Sequence, residues 1–518
     1  MSRSQKALRN IFFSTGTYLI QLILSLVVRV YFVKYIGTEY LGLNSLYASI
    51  MSVISIADLG LDTVFIYLLY RPLKEKNYPE IRGVLRLYKN MYRLIALTIT
   101  LVGIVLIPFV SDITGGKSNL NGIYTIFILY ILNAVVGYLN AYKRSLFIAD
   151  QDGYVVNGIT SGFIVIVDVI QIIQIVVVPS PVLYMCIQVL GTLLTNILIN
   201  ILANKHYPQI FQAKEYTLSK ENKRTLIHNG VGGISNKLGS IVVVSSDNIL
   251  LSIFTNLTLV GMYSNYTVLT TALNKIMQTI SVAITPSLGH LGVDGDESKI
   301  KQVFLELSFT IYSISLFAFW GFYGFVTPFV VIWLGKNNSF SIFLTWLISV
   351  NLWLTLIRVP SWMITDSFGL QWVQKWKAVV EAIINLLVSL MFVSIFKLGI
   401  EGIILGTIFS TIAVVLWYEP WVVFRYVLTE LTLFKYFRLN IPFLLLMLFG
   451  SGIYTLVDIF FSAKDELFSN IGLSVLVSIV LFCLYLIVFK RNHRFIEMTR
   501  RMKNLLKQRV GHVKNHAK

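Results

Sequence analysis

Charge is scarce in this chain of 518 residues: Asp, Glu, Lys and Arg make up 13%, against about 25% in soluble domains. With so few charges a surface facing water cannot be covered, which excludes an ordinary water-soluble protein. Cysteine is nearly absent too. Cys186 and Cys483 are the only two, both inside apolar runs, so a disulfide framework is no part of the design. The six histidines fall in inner loops, at the inner edge of a span or in the tail, which excludes a histidine proton relay within the membrane. No Gly-rich stretch ends in Gly-Lys-Ser/Thr, so nothing supports ATP hydrolysis on this chain. What the sequence has in quantity is apolar: 56% hydrophobic residues, 34 Phe and 27 Tyr, and a mean hydropathy of +0.73.

A spanning helix needs about 20 mostly apolar residues, and about fourteen such runs occur. They cover 11–34, 43–70, 92–110, 121–143, 155–178, 181–203, 228–254, 258–285, 305–334, 340–366, 376–397, 400–424, 439–461 and 468–490. The fold expected is therefore an all-α integral membrane protein. The first run is long for a signal core and carries Gln21 and Arg29 instead of a small-residue cleavage site, so it reads as a span. Lys and Arg set the orientation. With both termini cytoplasmic, about 34 of the 43 basic residues lie inside and about five outside (Lys34, Lys117, Lys336, Lys397, Lys464). That asymmetry accounts for the net charge of +18 through topology and anionic lipid, and nucleic acid is not an expected partner. Outer loops are short, so any activity lies in the helices.

Six spans precede the inner loop 204–227, and the next two restart in the orientation of the first two. An even number of helices per unit makes a repeat parallel, about an axis along the membrane normal. A faint echo supports it: Gly42-x-x-Ser45-x-Tyr47 returns as Gly261-x-x-Ser264-x-Tyr266, an offset of 219 (261 less 42). The expected organisation is two pseudo-symmetric six-helix lobes, 1–215 and 216–430, an extra helix pair at 431–490, and a basic cytoplasmic tail at 491–518.

An ionised side chain in a span costs at least about 2.5–3.5 kcal/mol, so each needs a reason. The cations are Arg29, Lys237, Lys275 and Arg358; the acids are Asp58, Asp62, Asp168, Asp247 and Glu381. Two roles are open to them. Acids and bases can pair between helices, or the cations can hold an anionic cargo lodged between the lobes while acids take a coupling cation. Phosphate suits the four cations, because Arg and Lys both give it charge-assisted hydrogen bonds. Asp58, Asp62, Asp168 and Asp247 are the candidates for ion coupling, Asp58 and Asp62 sharing one helical face. Asn44, Tyr47, Tyr263, Asn265 and Tyr266 are candidate sugar contacts near the outer mouth, although interfacial anchoring explains tyrosines as well.

The stretch Tyr40-Leu-Gly-Leu-Asn-Ser-Leu-Tyr through Ala57-Asp58-Leu59-Gly60-Leu61 resembles the second helix of Wzx-type polysaccharide flippases. Tyr70-Arg-Pro-Leu, Leu87-Tyr-Lys-Asn-Met-Tyr-Arg93, the loop 144–153, Ser246-Asp-Asn-Ile-Leu-Leu and Val260-Gly-Met-Tyr-Ser-Asn-Tyr266 are similar as well, in order along residues 1–430. The resemblance implies the polysaccharide branch of the multidrug/oligosaccharidyl-lipid/polysaccharide exporter superfamily: two lobes around a central cavity, working by alternating access. It implies a cargo of undecaprenyl-diphosphate-linked oligosaccharide, turned from the inner to the outer leaflet of a bacterial cytoplasmic membrane.

Three functions compete. A flippase for capsule or exopolysaccharide synthesis needs no cofactor beyond a coupling Na+ or H+, and would work beside a polymerase and glycosyltransferases. An organic-cation efflux antiporter of the same superfamily would want acids without matching bases, which four intramembrane cations disfavour. A membrane enzyme would need a sizeable outer loop carrying catalytic acids, and no run of the sequence supplies one; the chain reads as a non-enzyme with no catalytic residues.

Overall fold

In the computed structural model the described residues are 3–55, 61–116, 120–139, 141–214, 245–293, 296–461 and 467–500. They are mostly helical, with no strand among them. Among the described residues ten helices are long and apolar enough to cross a membrane, eleven when the pair Ile123–Leu139 and Ala141–Ala149, bent by 42°, counts as one span. These match eleven of the fourteen expected runs. The runs 43–70 and 228–254 extend outside the described residues. The run 258–285 lies on the 37-residue helix Leu257–Val293, whose Asn265, Asn274, Lys275 and many Thr and Ser make it too polar to join the ten.

Two expected loops are helix instead. The segment 71–91 is almost entirely helical: Leu61–Glu75 ends, and Tyr78–Leu106 begins after Lys76-Asn77. The Asn77 side chain accepts from the Glu80 amide (3.3 Å) and Pro79 sits in the first turn, a start signal that overrides the polarity of the segment. The expected loop 144–153 likewise contains the helix Ala141–Ala149, closed by Gln151 at φ 65°.

The chain forms two compact units. The first comprises 1–264 and 375–403, the second 265–374 and 404–518. In the first unit, Arg3–Tyr35 packs along Gly153–Val177, and Ile123–Leu139 packs against both Tyr78–Leu106 and Pro181–His206. The core of this unit contains Tyr47, Phe127, Ile131, Phe65 and Tyr88, and Phe65 stacks on Tyr88 at 3.9 Å. Opposite faces expose Leu101, Val105, Ile173 and Val177, as lipid allows and water would not.

One approach within this unit is closer than any side chain permits. A Cβ on Gly42 would lie 1.8 Å from the Leu257 carbonyl oxygen, and one on Gly261 would lie 2.2 Å from the Thr38 oxygen. Thr38 and Leu257 are themselves 219 apart, so the offset of the sequence echo recurs here as a reciprocal contact.

The second unit is built around Glu297–Leu334, which touches Ile342–Leu356, Val359–Ser367, Leu433–Phe461 and Leu467–Phe489. Asp296 caps it, accepting from the Lys299 amide at 3.1 Å. Its aromatic residues interleave with those of its neighbours: Phe309 meets Phe443 and Phe489 at 5.4 and 5.1 Å. The expected run 340–366 is broken, Ile342–Leu356 from Val359–Ser367, because Pro360 has no N–H for the Leu356 carbonyl and its ring crowds that oxygen. The run 400–424 is also interrupted, by a π turn at Thr411–Val415 just before Leu416–Tyr426, which contains Pro420.

Candidate functional site

The four expected cations meet four different fates. Arg29, on Arg3–Tyr35, is half-buried, and its Nη1 donates to Ser264 Oγ at 3.0 Å. Ser264 Oγ in turn donates to the Gly261 carbonyl at 2.7 Å, so the hydroxyl is fixed as an acceptor for the guanidinium. Tyr130 and Tyr184 lie within electrostatic reach of Arg29, and Tyr184 within reach of Asp168. Phe32 meets the Tyr184 ring edge-on at 5.0 Å and Tyr47 meets Tyr130 at 5.7 Å. Arg29 therefore stands among the Ser264 hydroxyl, Tyr130 and Tyr184, each from a different helix.

Lys275 is exposed on Leu257–Val293, and the group its ammonium meets among the described residues is Gln278 Oε1, at 3.4 Å. Arg358 is different: its Nε and Nη2 form a two-pronged pair with Glu419 at 3.1 and 2.9 Å. Trp362 Nε1 donates to the same carboxylate at 2.9 Å, and its ring lies 4.8 Å from the guanidinium carbon. Lys237 lies outside the described residues, as does Asp58; Asp62 belongs to Leu61–Glu75, and its side chain is likewise outside them.

Of the other acids, Asp168 is half-buried on Gly153–Val177, and Asp247 is 4% exposed, with Tyr263 within electrostatic reach. Glu381 is also buried. Among the candidate sugar contacts, Tyr47, Tyr263, Asn265 and Tyr266 are buried, leaving Asn44 half-buried. Tyr47 Oη donates to the Ile123 carbonyl at 3.0 Å, and Tyr266 Oη accepts from the Phe340 amide at 2.9 Å. In this conformation those two tyrosines pack helices together and offer no surface to a sugar.

Sequence reasoning missed Glu419, although an acid beside Pro420 inside an apolar run carries the same signal that found Arg358. It also placed Lys143 at the end of a span and Arg144 in a loop. Both are held inside the first unit: Lys143 Nζ donates to Asn200 Oδ1 and, at 2.7 Å, to Asn204 Oδ1, under the Phe211 ring at 4.4 Å. Arg144 Nη2 donates to Asn196 Oδ1 at 2.8 Å. The Asn196-x-x-x-Asn200-x-x-x-Asn204 spacing on one helix was the available clue.

Residues 7–291 match the model of a family described as polysaccharide biosynthesis protein. The chain belongs to that family. The matched segment contains Arg29, Lys237, Lys275 and all four coupling candidates. No curated protein sequence matches the chain. Solved structures share its fold at low identity. The lipid II flippase MurJ, in an inward closed conformation, aligns with a TM-score of 0.63 at 14% identity over 92% of this chain and 99% of its own. An inward-facing multidrug resistance MATE family transporter of the MOP superfamily aligns at 0.60, with 15% identity over 80% and 98%. A MOP superfamily transporter from Pyrococcus furiosus, described as having a binding pocket of reverse polarity, aligns at 0.53 with 14% identity over 82% and 95%. The chain is thus a multi-pass membrane protein of the polysaccharide biosynthesis family with the fold of these transporters.

Proposed function

We propose that the chain is a flippase that turns an undecaprenyl-diphosphate-linked oligosaccharide repeat unit from the inner to the outer leaflet of a bacterial cytoplasmic membrane. It does so by alternating access, for assembly of a capsule or exopolysaccharide. Lys275 carries the reading: an exposed ammonium partway along a 37-residue helix, with only an amide oxygen near it among the described residues. Such a charge is expensive in a membrane unless an anion or water meets it. Arg29 and Lys237 share the role of phosphate contact, Arg29 with Ser264 and two tyrosines behind it. Arg358 is left out of this set, because Glu419 already answers its charge.

In this reading residues 1–215 and 216–430 are the two lobes, the pair at 431–490 is an addition, and the basic tail at 491–518 meets anionic lipid. Asp58, Asp62, Asp168 and Asp247 are the places to seek coupling to Na+ or H+. A polymerase and glycosyltransferases would consume and supply the cargo.

The test is reconstitution with a lipid-diphosphate oligosaccharide and an assay of leaflet-selective accessibility. Transfer above empty liposomes is expected. Export of a cationic dye without lipid transfer would establish an efflux pump instead. In cells, Arg29→Ala and Lys275→Ala should abolish surface polysaccharide while membrane abundance holds; normal polysaccharide in both would remove the phosphate contacts.

A further inference from the structure

The second unit contains a cavity of about 650 Å³ whose lining includes none of the expected site residues, although the outer-loop lysine Lys336 is part of it. It lies where Glu297–Leu334 ends, Ile342–Leu356 begins, Leu433–Phe461 ends and Leu467–Phe489 begins, the side that the Lys/Arg distribution assigns to the outside. Its volume is that of a site for a small organic ligand. Lys336 and Asp458 put one charge of each sign on the lining, and Asn470 adds an amide. Tyr323 and Tyr454 supply aromatic surface, their rings 5.6 Å apart and edge-on.

The wall is held in place before any ligand arrives. Tyr323 Oη pairs with Thr455 Oγ1 at 2.9 Å, Tyr454 Oη with Ser478 Oγ at 2.7 Å, and Ser474 Oγ donates to the Gly324 carbonyl at 2.9 Å. Gly324 makes this possible, since a Cβ there would lie 2.5 Å from the Tyr454 ring. A preorganised wall of this kind lowers the ordering cost of binding. Its chemistry selects among ligands. A phosphate or other anion would want a surplus of cations, and here the charges cancel. A purely apolar tail would leave Lys336, Asp458 and Asn470 facing hydrocarbon. A neutral polyhydroxylated ligand satisfies both constraints: its hydroxyls donate to the carboxylate and accept from the ammonium and amide, and its C–H faces lie on tyrosine rings.

We propose that this cavity is an outer-face binding site for a neutral saccharide, which receives the sugar portion of the cargo. Its role in transport rests on the flippase reading; its ligand chemistry does not.

The experiment separates the two. The full chain carrying Cys186→Ser, Cys483→Ser and Ser339→Cys is placed in nanodiscs, and modification of the new thiol on the cavity wall by a maleimide is timed. The probe is the oligosaccharide released by mild acid from the lipid-linked repeat unit of the producing cell, with inorganic phosphate in parallel. The expected result is labelling slowed at least threefold by the oligosaccharide and unaffected by phosphate. Adding Asp458→Ala should remove the protection while the thermal midpoint is unchanged. An unprotected thiol, protection by phosphate, or protection that survives Asp458→Ala would each overturn the proposal. Because labelling needs no transport, a flippase assay that fails while protection is seen would count against the transport reading alone.

Discussion

Removing Arg358 should unfold this protein more readily than removing Arg29 or Lys275. The pair it forms with Glu419 is desolvated: the side chains are 13% and 1% exposed. Three donors converge on the carboxylate, Arg358 Nε, Arg358 Nη2 and Trp362 Nε1. Arg358→Ala removes two of these donors, and the balancing charge, from a buried carboxylate. Breaking such a pair from one side costs about 3–5 kcal/mol, whereas replacing both partners by packed apolar residues is neutral or stabilising by about 1–4 kcal/mol. Arg358→Lys should fall between, since a point charge cannot give two parallel bonds, and loss of one charged hydrogen bond costs about 1.5–3 kcal/mol. The assay is SDS titration of purified protein in mixed micelles, run on Arg358→Met, Glu419→Leu, the double Arg358→Met/Glu419→Leu and the parent, with Arg358→Ala alongside. A coupling of several kcal/mol is expected. Additive single effects, with coupling below about 0.5 kcal/mol, would refute the reasoning. Transport measured per folded molecule adds a second readout. It should survive in the apolar double, and its loss there from a stable protein would move the pair from scaffold to transport machinery.

Other consequences follow from contacts already described. Gly42→Ala forces the chain off the Leu257 carbonyl, and overpacking of this kind costs about 1–3 kcal/mol; a lowered thermal midpoint checks it, and an unchanged one would show the two backbones free to separate. Tyr47→Phe deletes the bond to the Ile123 carbonyl and should lower stability by about 0.5–1.5 kcal/mol with surface polysaccharide unchanged. Polysaccharide loss at normal abundance would instead return Tyr47 to the cargo path. Ser264→Ala removes the acceptor that holds Arg29 and should weaken lipid transfer less than Arg29→Ala does; equal losses would make the serine a cargo contact in its own right. Lys143→Ala should lower membrane abundance, because Asn200 and Asn204 lose a buried donor they share, and normal abundance would argue that water takes its place.

The membrane class and most spans were legible because hydropathy is a local property, summed over about 20 neighbours. Loops were read less well. The segment 71–91 looked like a loop because it is polar and basic, yet helices continue past a bilayer surface wherever caps and propensity allow, as Asn77 and Pro79 do here. The fate of a charge was the least legible feature. Arg29, Lys275 and Arg358 are equivalent in sequence, each a cation in an apolar run. What distinguishes them is a hydroxyl 235 residues away, an amide three residues away and a carboxylate 61 residues away. Hydropathy carries no information about such partners. The tyrosines were ambiguous for the same reason: an amphipathic ring serves an interface, a ligand or a core equally well, and packing buries Tyr47 and Tyr266 in this conformation.

The contact of Gly42 with Gly261 has a consequence for how this chain could diverge. Positions 38 and 42 meet positions 257 and 261, each pair the counterpart of the other at one offset, so the contact is isologous, as in a twofold dimer. In a true dimer of identical halves, one codon change at such a position alters both sides together and its penalty is doubled. Here the two sides are read from separate codons, and a change reaches one side alone. Each trial substitution at this contact therefore carries a smaller penalty than a shared codon would impose. The two glycines gain nothing from this, since a Cβ on either side already meets a carbonyl oxygen of the other.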